Sequence, residues 1–263
     1  MSTAIRTRGQ SAARQQWTDG LLLVLGLAIA WKCASWGLGV EVLPGPWRTL
    51  QQLMHELLEP DFPAHLAETS KAFFTALLIA VVAGVGLGLF LGARRLAGDV
   101  MEPILIALYS IPKISLYPVI LLMFGLGLSA KIAFGVIHGI IPITIFTMTA
   151  VRNIPQVYLR TIKAHRLTPW QGARHVLVPA TIPEIVAGLR IGFSLTLLGT
   201  LLGEMFASQR GIGHMLMLAI DRNNPPTIMA LSLMLFLFAT VVSIGLLRWD
   251  RHLRRGIQPR GTE

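Results

Sequence analysis

The sequence is poor in cysteine and in charge. Its single cysteine, Cys33, can form no intrachain disulfide and excludes a cysteine-based metal site. Charged side chains make up 14% of the 263 residues, whereas 53% are hydrophobic and the mean hydropathy is +0.62. A soluble domain of this size could not bury so much apolar surface, so the composition indicates a protein of the lipid bilayer.

The sequence also lacks the motifs of enzymes. It contains no G-x-x-x-x-G-K-[ST] phosphate-binding loop, no H-E-x-x-H zinc motif and no G-x-S-x-G nucleophile motif. No group of histidines and carboxylates has the spacing of a catalytic or metal site. We therefore predict that the chain is not an enzyme and that it binds neither a cofactor nor a metal.

Long apolar runs are abundant instead. Six of them approach the roughly 20 residues needed to cross a bilayer. The third is interrupted by Pro112, Lys113 and Pro118, which predicts a kinked or broken helix. At membrane depth, protein or water must then hydrogen-bond to the backbone groups that the break frees. The sequence therefore predicts an all-α, polytopic membrane protein. The predicted spans are residues 18–38, 69–92, 101–124, 130–151, 184–206 and 227–248.

The predicted membrane topology explains the net charge of +10 better than a nucleic-acid partner would. With both termini inside the cell, the inner segments hold most of the basic residues, and the outer segments keep only Arg48, Lys131, Arg210 and Arg222. After the N-terminal tail, the inner basic residues are Arg94, Arg95, Arg152, Arg160, Lys163, Arg166, Arg174, Arg248, Arg251, Arg254, Arg255 and Arg260.

This topology divides the chain into four regions. They are a cytoplasmic tail (1–17), a first transmembrane helix with an external segment (18–65), a core domain (66–248) and a basic cytoplasmic tail (249–263). The first span has no signal-peptide cleavage site and is interpreted as uncleaved. On the outer side, RTLQQLMHELL predicts a surface helix, and MLMLAI predicts a short helix that does not cross the membrane.

A stripe of glycines marks one face of the second span. Gly84, Gly88 and Gly92 follow the small-xxx-small spacing that lets two helix backbones approach closely. Tight packing inside one subunit is favoured over a contact between subunits.

The inner segment from Arg152 to Pro183 is long for a connector, and we call it the two-helix loop. YLRTIKAHRL has apolar residues at helical spacing, and TPWQ begins like a helix N-terminus, with Thr168 as the cap and Pro169 at the first helical position. The sequence therefore predicts two short amphipathic helices that meet near Leu167 and Thr168.

A stiff joint is predicted where the two-helix loop meets the fifth span. Pro179 should end the second loop helix, and Pro183 with Glu184 should begin the span. Such a joint could pass force from a soluble partner into the membrane, or it could simply terminate the loop.

Two segments carry a family resemblance. AHRLTPWQGARHVLVPATIPEIVAGLRIGFSLTLLGTLLGEMFAS and SIPKISLYPVILLMFGLGLSAKIAFGVIHGIIPI resemble the membrane subunits of bacterial ATP-binding-cassette importers. The resemblance covers about residues 66–248. Within the family, these residues look most like the branch for aliphatic sulfonates, taurine, nitrate and thiamine-pyrimidine precursors. The most specific pattern, V-x-x-P-A-x-x-P-x-x-x-x-G-L-R, is matched at Val176, Pro179, Ala180, Pro183, Gly188, Leu189 and Arg190.

The resemblance implies an importer-like permease of the inner membrane. It implies two copies of the chain, two separate ATPase subunits that bind ATP and magnesium, and an external solute-binding protein. The two-helix loop would dock on the ATPase, with Pro179, Pro183 and Gly188 as the hinge. In this chain Arg160 stands where the family has an acid and Arg166 where it has a glycine. The predicted coupling residues are Arg160, Lys163, Ala164, Arg166, Thr168, Trp170 and Gln171.

Four residues are candidates for the translocation path, and each has a structural alternative. Glu204 could have a role in transport within its span, or it could cap the turn that follows the span. Lys113 could bind a substrate anion or satisfy free carbonyls at the break in the third span. Tyr109 and Tyr117 could line the path or simply pack. His138 is predicted to hydrogen-bond to a neighbouring helix.

Two other functions remain open at this stage. A secondary transporter driven by an ion gradient would show paired inverted repeats with matching broken helices, and we find one broken span only. A membrane scaffold that recruits a partner through its basic loop is weakly disfavoured by that broken span. The substrate is not named by the sequence, although a small anion or a small heterocyclic precursor is implied by the resemblance.

Overall fold

The computed structural model describes residues 2–255, without the side chains of residues 2–17, 21, 159, 169, 173, 207, 252, 254 and 255. The side chains of the predicted N-terminal tail and of Arg254, Arg255 and Arg260 thus lie outside the described part. Residues 2–255 contain helices and no β-strand, as predicted. The helices are α1 (Ser2–Leu38), α2 (Pro46–Leu58), α3 (Phe62–Ala93), α4 (Arg95–Ser110), α5 (Tyr117–Phe124), α6 (Leu128–Arg152), α7 (Gln156–Ala164), α8 (Pro169–Gly172), α9 (Val178–Ala207), α10 (Ile212–Asp221) and α11 (Pro225–Arg255).

Six membrane crossings fit the described helices. Five single helices are long and apolar enough, and a sixth crossing is possible if α4 and α5 together form one span. That pair is bent by 88° around a 3₁₀ turn at Lys113–Leu116, where Pro112 and Pro118 interrupt the helix. The predicted break in the third span is therefore confirmed. α10 is apolar but only 10 residues long, too short to span.

The chain forms two compact units. The first contains the residues up to Glu59 together with Ala219–Met234. In it, Trp31 donates a hydrogen bond to the Pro44 carbonyl at 3.1 Å, and Thr227 donates to the Glu56 carboxylate at 2.8 Å. These bonds hold α2, the predicted external helix, within this unit.

The second unit contains Pro60–Leu218 and Leu235–Glu263, and its centre is the packing of α3, α6 and α9. A Cβ atom on Gly88 of α3 would lie 2.5 Å from the Cβ of Thr147 in α6. Gly84 and Gly92 meet Ile143 and Val151 of α6 just as closely. The glycine stripe therefore packs helices inside one subunit, as the sequence favoured.

The same close approach recurs between α6 and α9. A Cβ on Gly188 would lie 2.5 Å from the Cβ of Phe146, and one on Gly192 would lie 2.5 Å from Ile143. Aromatic packing seals the other side of α9, where Phe73 and Phe193 meet edge to face at 5.2 Å between ring centroids. Gly188, a predicted hinge residue, thus lies in a tight helix contact.

The joint before the fifth span differs from the prediction. Pro179 does not end the second loop helix, and Pro183 lies inside α9 rather than at its start. The helical path continues from α8 through a π-helical turn at Ala173–Leu177 into α9. A proline ring collides with the carbonyl four residues earlier, and for Pro179 that carbonyl belongs to the wider π turn, which relieves the collision.

Candidate functional site: the two-helix loop and the interior of the bundle

The two-helix loop folds as α7, a tight turn and α8. The Leu167 amide donates to the Ile162 carbonyl at 3.0 Å, and the Arg166 amide donates to the Lys163 carbonyl at 3.1 Å. This pair of bonds is the Schellman pattern that ends a helix with a left-handed residue. Arg166 occupies that position with φ 48°, where glycine would carry no steric penalty. The turn is therefore formed although a non-glycine residue stands at its strained position.

The second loop helix begins with a reciprocal cap. The Gln171 amide donates to the Thr168 hydroxyl at 3.3 Å, and the Thr168 amide donates to the Gln171 side-chain oxygen at 3.0 Å. This exchange satisfies two backbone donors at the helix start, so the predicted cap is confirmed. Behind it, the Ile162 side chain approaches Gly172 and joins the two helices.

The outward face of the two-helix loop is basic and carries one large aromatic ring. Trp170 is 72% exposed. Arg160, Lys163, Ala164 and Arg166 are exposed as well. An exposed tryptophan among cations on a rigid loop is typical of a docking surface, since buried aromatic anchors dominate protein interfaces. The coupling roles of these residues remain predictions.

An ionic cluster fastens the start of the two-helix loop to α4. The Arg152 guanidinium, at the end of α6, donates to the Glu102 carboxylate at 2.7 Å and also pairs with Asp99. Both carboxylates belong to α4, so α6 and the beginning of the loop are tied to the bent third span.

Two of the four predicted path residues lie near the break in the third span. Lys113 donates to the Tyr109 carbonyl at 2.9 Å, and its ammonium lies 5.1 Å from the centre of the Tyr109 ring. Lys113 thus satisfies a carbonyl that the bend frees, which is the structural alternative given above. The Tyr109 side chain is 42% exposed.

The other two path candidates are buried. Tyr117 is 6% exposed, packs edge to face on Phe134 and donates to the Gly203 carbonyl at 3.0 Å. Glu204 is fully buried and accepts hydrogen bonds from Thr69 at 2.8 Å and from the Gly213 amide at 3.0 Å. Both positions fit the packing and capping alternatives rather than a surface that touches solute.

Glu204 belongs to a set of side chains that cap the start of α10. The Gly211 amide donates to His65, the Ile212 amide to Thr69 and the Gly213 amide to Glu204, at 2.8 to 3.0 Å. These amides have no partner within the helix, so side chains from α3 and α9 satisfy them. A carboxylate at this end also suits the positive end of the helix dipole.

A buried ion pair lies beside this cap. Lys131 is 2% exposed, and its ammonium donates to the Glu68 carboxylate and to the Arg210 carbonyl, both at 3.0 Å. Sequence reasoning placed Lys131 in an outer segment and gave it no role. Its position four residues into an apolar helix was the available signal, because ionisable residues in spans are seldom idle.

His138 differs from its prediction. Its Nδ1 lies 2.8 Å from the Phe134 carbonyl of the same helix, not from a partner on a neighbouring helix. The imidazole lies against Gly199 of α9, where a Cβ atom would be 2.8 Å from the ring. Space left by a glycine, rather than a cross-helix bond, therefore accommodates the ring.

One cleft in the second unit places an arginine beside hydroxyl groups in a mostly apolar lining. Its volume is about 550 Å³, and it lies between α4, α9 and the part of α11 after Leu235. Arg190 and Ser194 of α9 face Thr240 and Ser243 of α11, with Tyr109 of α4 at the edge. In the sequence Arg190 was identified only as part of a motif, although a lone arginine within an apolar run was a usable signal.

Known proteins resemble this chain across most of its length. Residues 64–259 match the family described as "Binding-protein-dependent transport system inner membrane component". A probable ABC transporter permease protein of Haemophilus influenzae is 30% identical over 207 residues, which cover 78% of this chain and 80% of that protein. The taurine transport system permease protein TauC of Escherichia coli is 25% identical and covers 89% and 87%.

A solved structure shares the fold. It is a chain of the MetNI methionine ABC transporter in an inward-facing conformation, with a TM-score of 0.55, 19% identity, and coverage of 79% of this chain and 96% of that chain. The family match extends over most of the second unit, including the two-helix loop and α9. The chain therefore belongs to the family of binding-protein-dependent transport system inner membrane components, and it is a transport subunit rather than an enzyme.

Proposed function

We propose that the chain forms the translocation pathway of an ATP-driven importer for a small anion, and that the two-helix loop docks on a separate ATPase. Two copies of the chain would form the pathway, and an external solute-binding protein would deliver the substrate. Family membership supports the permease role, and the docking role rests on the geometry of the loop.

The observation that carries this proposal is the continuity between the two-helix loop and the fifth span. α8 passes through the π turn at Ala173–Leu177 into α9 without a break. A helix transmits displacement along its axis because its backbone bonds are all internal. A force applied at Trp170 would therefore reach the centre of the bundle, where α9 packs on α6.

Alternating access would follow from this link. ATP binding would close the two ATPase subunits and move the paired loops, and each α9 would then tilt against its own α6 and α3. The ionic cluster at Arg152 ties α6 to α4 and would carry the same movement to the bent third span.

A small anion is the proposed substrate class, with a sulfonate such as taurine as the first candidate. The support is the name of the Escherichia coli relative together with the arginine that lines the cleft between α9 and α11. A small heterocyclic precursor is the alternative, and the solute-binding protein that accompanies the chain would decide between them.

The test is capture of the tagged full-length chain from its native membranes, followed by mass spectrometry of the proteins that accompany it. We expect a stoichiometric ATP-binding-cassette ATPase. Repeated capture of intact, folded chain without an ATPase would contradict the proposal and favour the secondary transporter. A scaffold would bring a partner but show no ATP-dependent uptake after reconstitution.

A further inference from the structure

The cleft between α9 and α11 is an open groove, and it lies about midway along the helices of the membrane domain. Arg190 is placed between Gly188, which contacts Phe146, and Gly192, which contacts Ile143. At 1.5 Å per residue, Ile143 is roughly 14 Å from the Arg152 end of α6 and roughly 22 Å from its Leu128 end. A hydrocarbon core is about 30 Å thick, so Arg190 begins well inside it.

A guanidinium at this depth is costly against lipid, and such residues face the bundle interior or a water-filled cavity. The hydroxyls of Ser194, Thr240 and Ser243 line the same cleft. The open side of the cleft must therefore face water or protein rather than acyl chains.

Among the described residues, Arg190 forms no ion pair with a carboxylate. Within the part of the chain that the structure describes, the arginine ion pair is that of Arg152 with Asp99 and Glu102, and Arg190 takes part in none. The Ser194 hydroxyl donates at 3.4 Å to the Arg190 backbone carbonyl, and among the described residues no hydrogen bond of the Arg190 guanidinium is found. The cleft thus presents a positive charge and several hydroxyls to whatever enters it.

We propose that this cleft is an anion-binding station of the translocation pathway, with Arg190 as the residue that contacts the oxyanion of the solute. The inference rests on the proposed importer function and names the residue that would recognise the solute. The planar guanidinium can donate two parallel hydrogen bonds to a sulfonate, nitrate or carboxylate group. Thr240 and Ser243, on the facing helix, would supply further donors.

The place of Arg190 on α9 explains how such a station would release its anion. α9 is the helix that continues into the two-helix loop, whereas Thr240 and Ser243 belong to α11. A tilt of α9 driven at the loop would separate the guanidinium from the hydroxyls of α11. The anion would lose half of its contacts in that movement.

A charge-selective labelling experiment tests this inference without knowing the solute. In a Cys33→Ser background, Ser243→Cys introduces one thiol in the cleft, and Val241→Cys introduces one on the same helix where the side chain is 68% exposed outside it. The captured complex, in membrane vesicles of both orientations, is treated with membrane-impermeant methanethiosulfonates, one carrying a sulfonate and one a quaternary ammonium.

We expect the Ser243→Cys thiol to react faster with the sulfonate reagent, and the Val241→Cys thiol to react with neither. Adding Arg190→Gln should lower the ratio of sulfonate to ammonium rates by about tenfold, because one nearby unit charge in a low-dielectric site is removed. Arg190→Lys should keep most of that ratio. Both variants should retain the captured ATPase, which shows that the complex is assembled.

Two results would overturn the inference. An inert Ser243→Cys thiol in both vesicle orientations would show that water does not reach the cleft. A rate ratio that is the same with Arg190→Gln as with arginine would show that Arg190 does not select anions. Either failure can occur with the ATPase still bound, so it is distinguishable from failure of the importer function itself.

Discussion

Charged side chains are buried at one end of the second unit and exposed at the other. At the end near α10, Lys131 and Glu204 are almost fully buried and bonded to Glu68, Thr69 and backbone groups. In the two-helix loop, Arg160, Lys163 and Arg166 are exposed. The difference separates charges that hold the fold from charges available to a partner, because burying an ion is tolerable only when it is paired.

The largest expected effect comes from breaking the buried pair. Lys131→Met removes the ammonium and leaves the Glu68 carboxylate and the Arg210 carbonyl without their donor. Removing one partner of a fully buried pair typically costs about 3–5 kcal/mol, and the cost here should be smaller because water reaches Glu68, which is 30% exposed. We expect a markedly lower midpoint of thermal unfolding for the detergent-purified protein. Lys113→Met is the matched control, since Lys113 is partly exposed and bonds one carbonyl, and an equal loss in both variants would erase the distinction.

The second effect concerns the exposed end. Trp170→Ala should reduce ATP-dependent uptake by the reconstituted importer by about tenfold, in the range of a moderate interface anchor. Because Trp170 is 72% exposed, the unfolding midpoint should not change. ATPase activity without matching uptake would be the signature of uncoupling. Trp170→Phe, which keeps a ring, should recover most of the transport, and unchanged uptake by Trp170→Ala would count against docking at this residue.

A third change sharpens the comparison within the two-helix loop itself. Arg166 holds φ 48°, a conformation that costs a residue with a Cβ roughly 1 kcal/mol. Arg166→Gly should therefore stabilise the turn by up to about 1 kcal/mol, less the greater freedom of glycine in the unfolded chain. The same change should weaken ATPase capture at low salt, because a cation is lost from the exposed face. Arg160→Gly, which lies within α7, should also weaken ATPase capture, but it should destabilise the helix instead of stabilising the loop.

The smallest effect is a pH dependence at the buried end. Burial, with smaller contributions from the positive charges of His65 and Lys131, lowers the pKa of His214 below its usual 6.5. As the pH falls through 6.5, His214 takes up a proton in the unfolded chain but not yet in the folded chain. The free energy of unfolding therefore falls toward acidic pH, and the full contribution of His214 to stability is present only above pH 6.5.

His214→Asn should flatten this pH dependence between pH 8 and pH 5. The measurement is the unfolding midpoint of both proteins across that range. The rings of His65 and His214 stack at 6.3 Å between centroids, so His65→Asn should reduce the dependence in part. A wild-type midpoint that rises as the pH falls would contradict the lowered pKa.

Much of the fold was predictable because its signals are local. Hydropathy predicted the five single-helix crossings and the interrupted third span, and the two prolines around Lys113 predicted the break that the structure shows as an 88° bend. The loop helices and the Thr168 cap follow from spacing and end signals within ten or so residues. Pro179 and Pro183 led to a wrong helix boundary, because a π turn five residues long allowed the helix to continue. Such turns leave no periodicity that a sequence displays.

By itself, the sequence determined that the chain is an all-helical permease subunit of the membrane and where most of its helices run. Only the tertiary structure decided that Lys131 meets Glu68, that Tyr117 and Glu204 are buried, and that Arg190 shares a cleft with Thr240 and Ser243. Hydrophobic patterning fixes each helix along its own axis. The rotation of one helix against another, which selects the side chains that meet, depends on packing between segments dozens of residues apart.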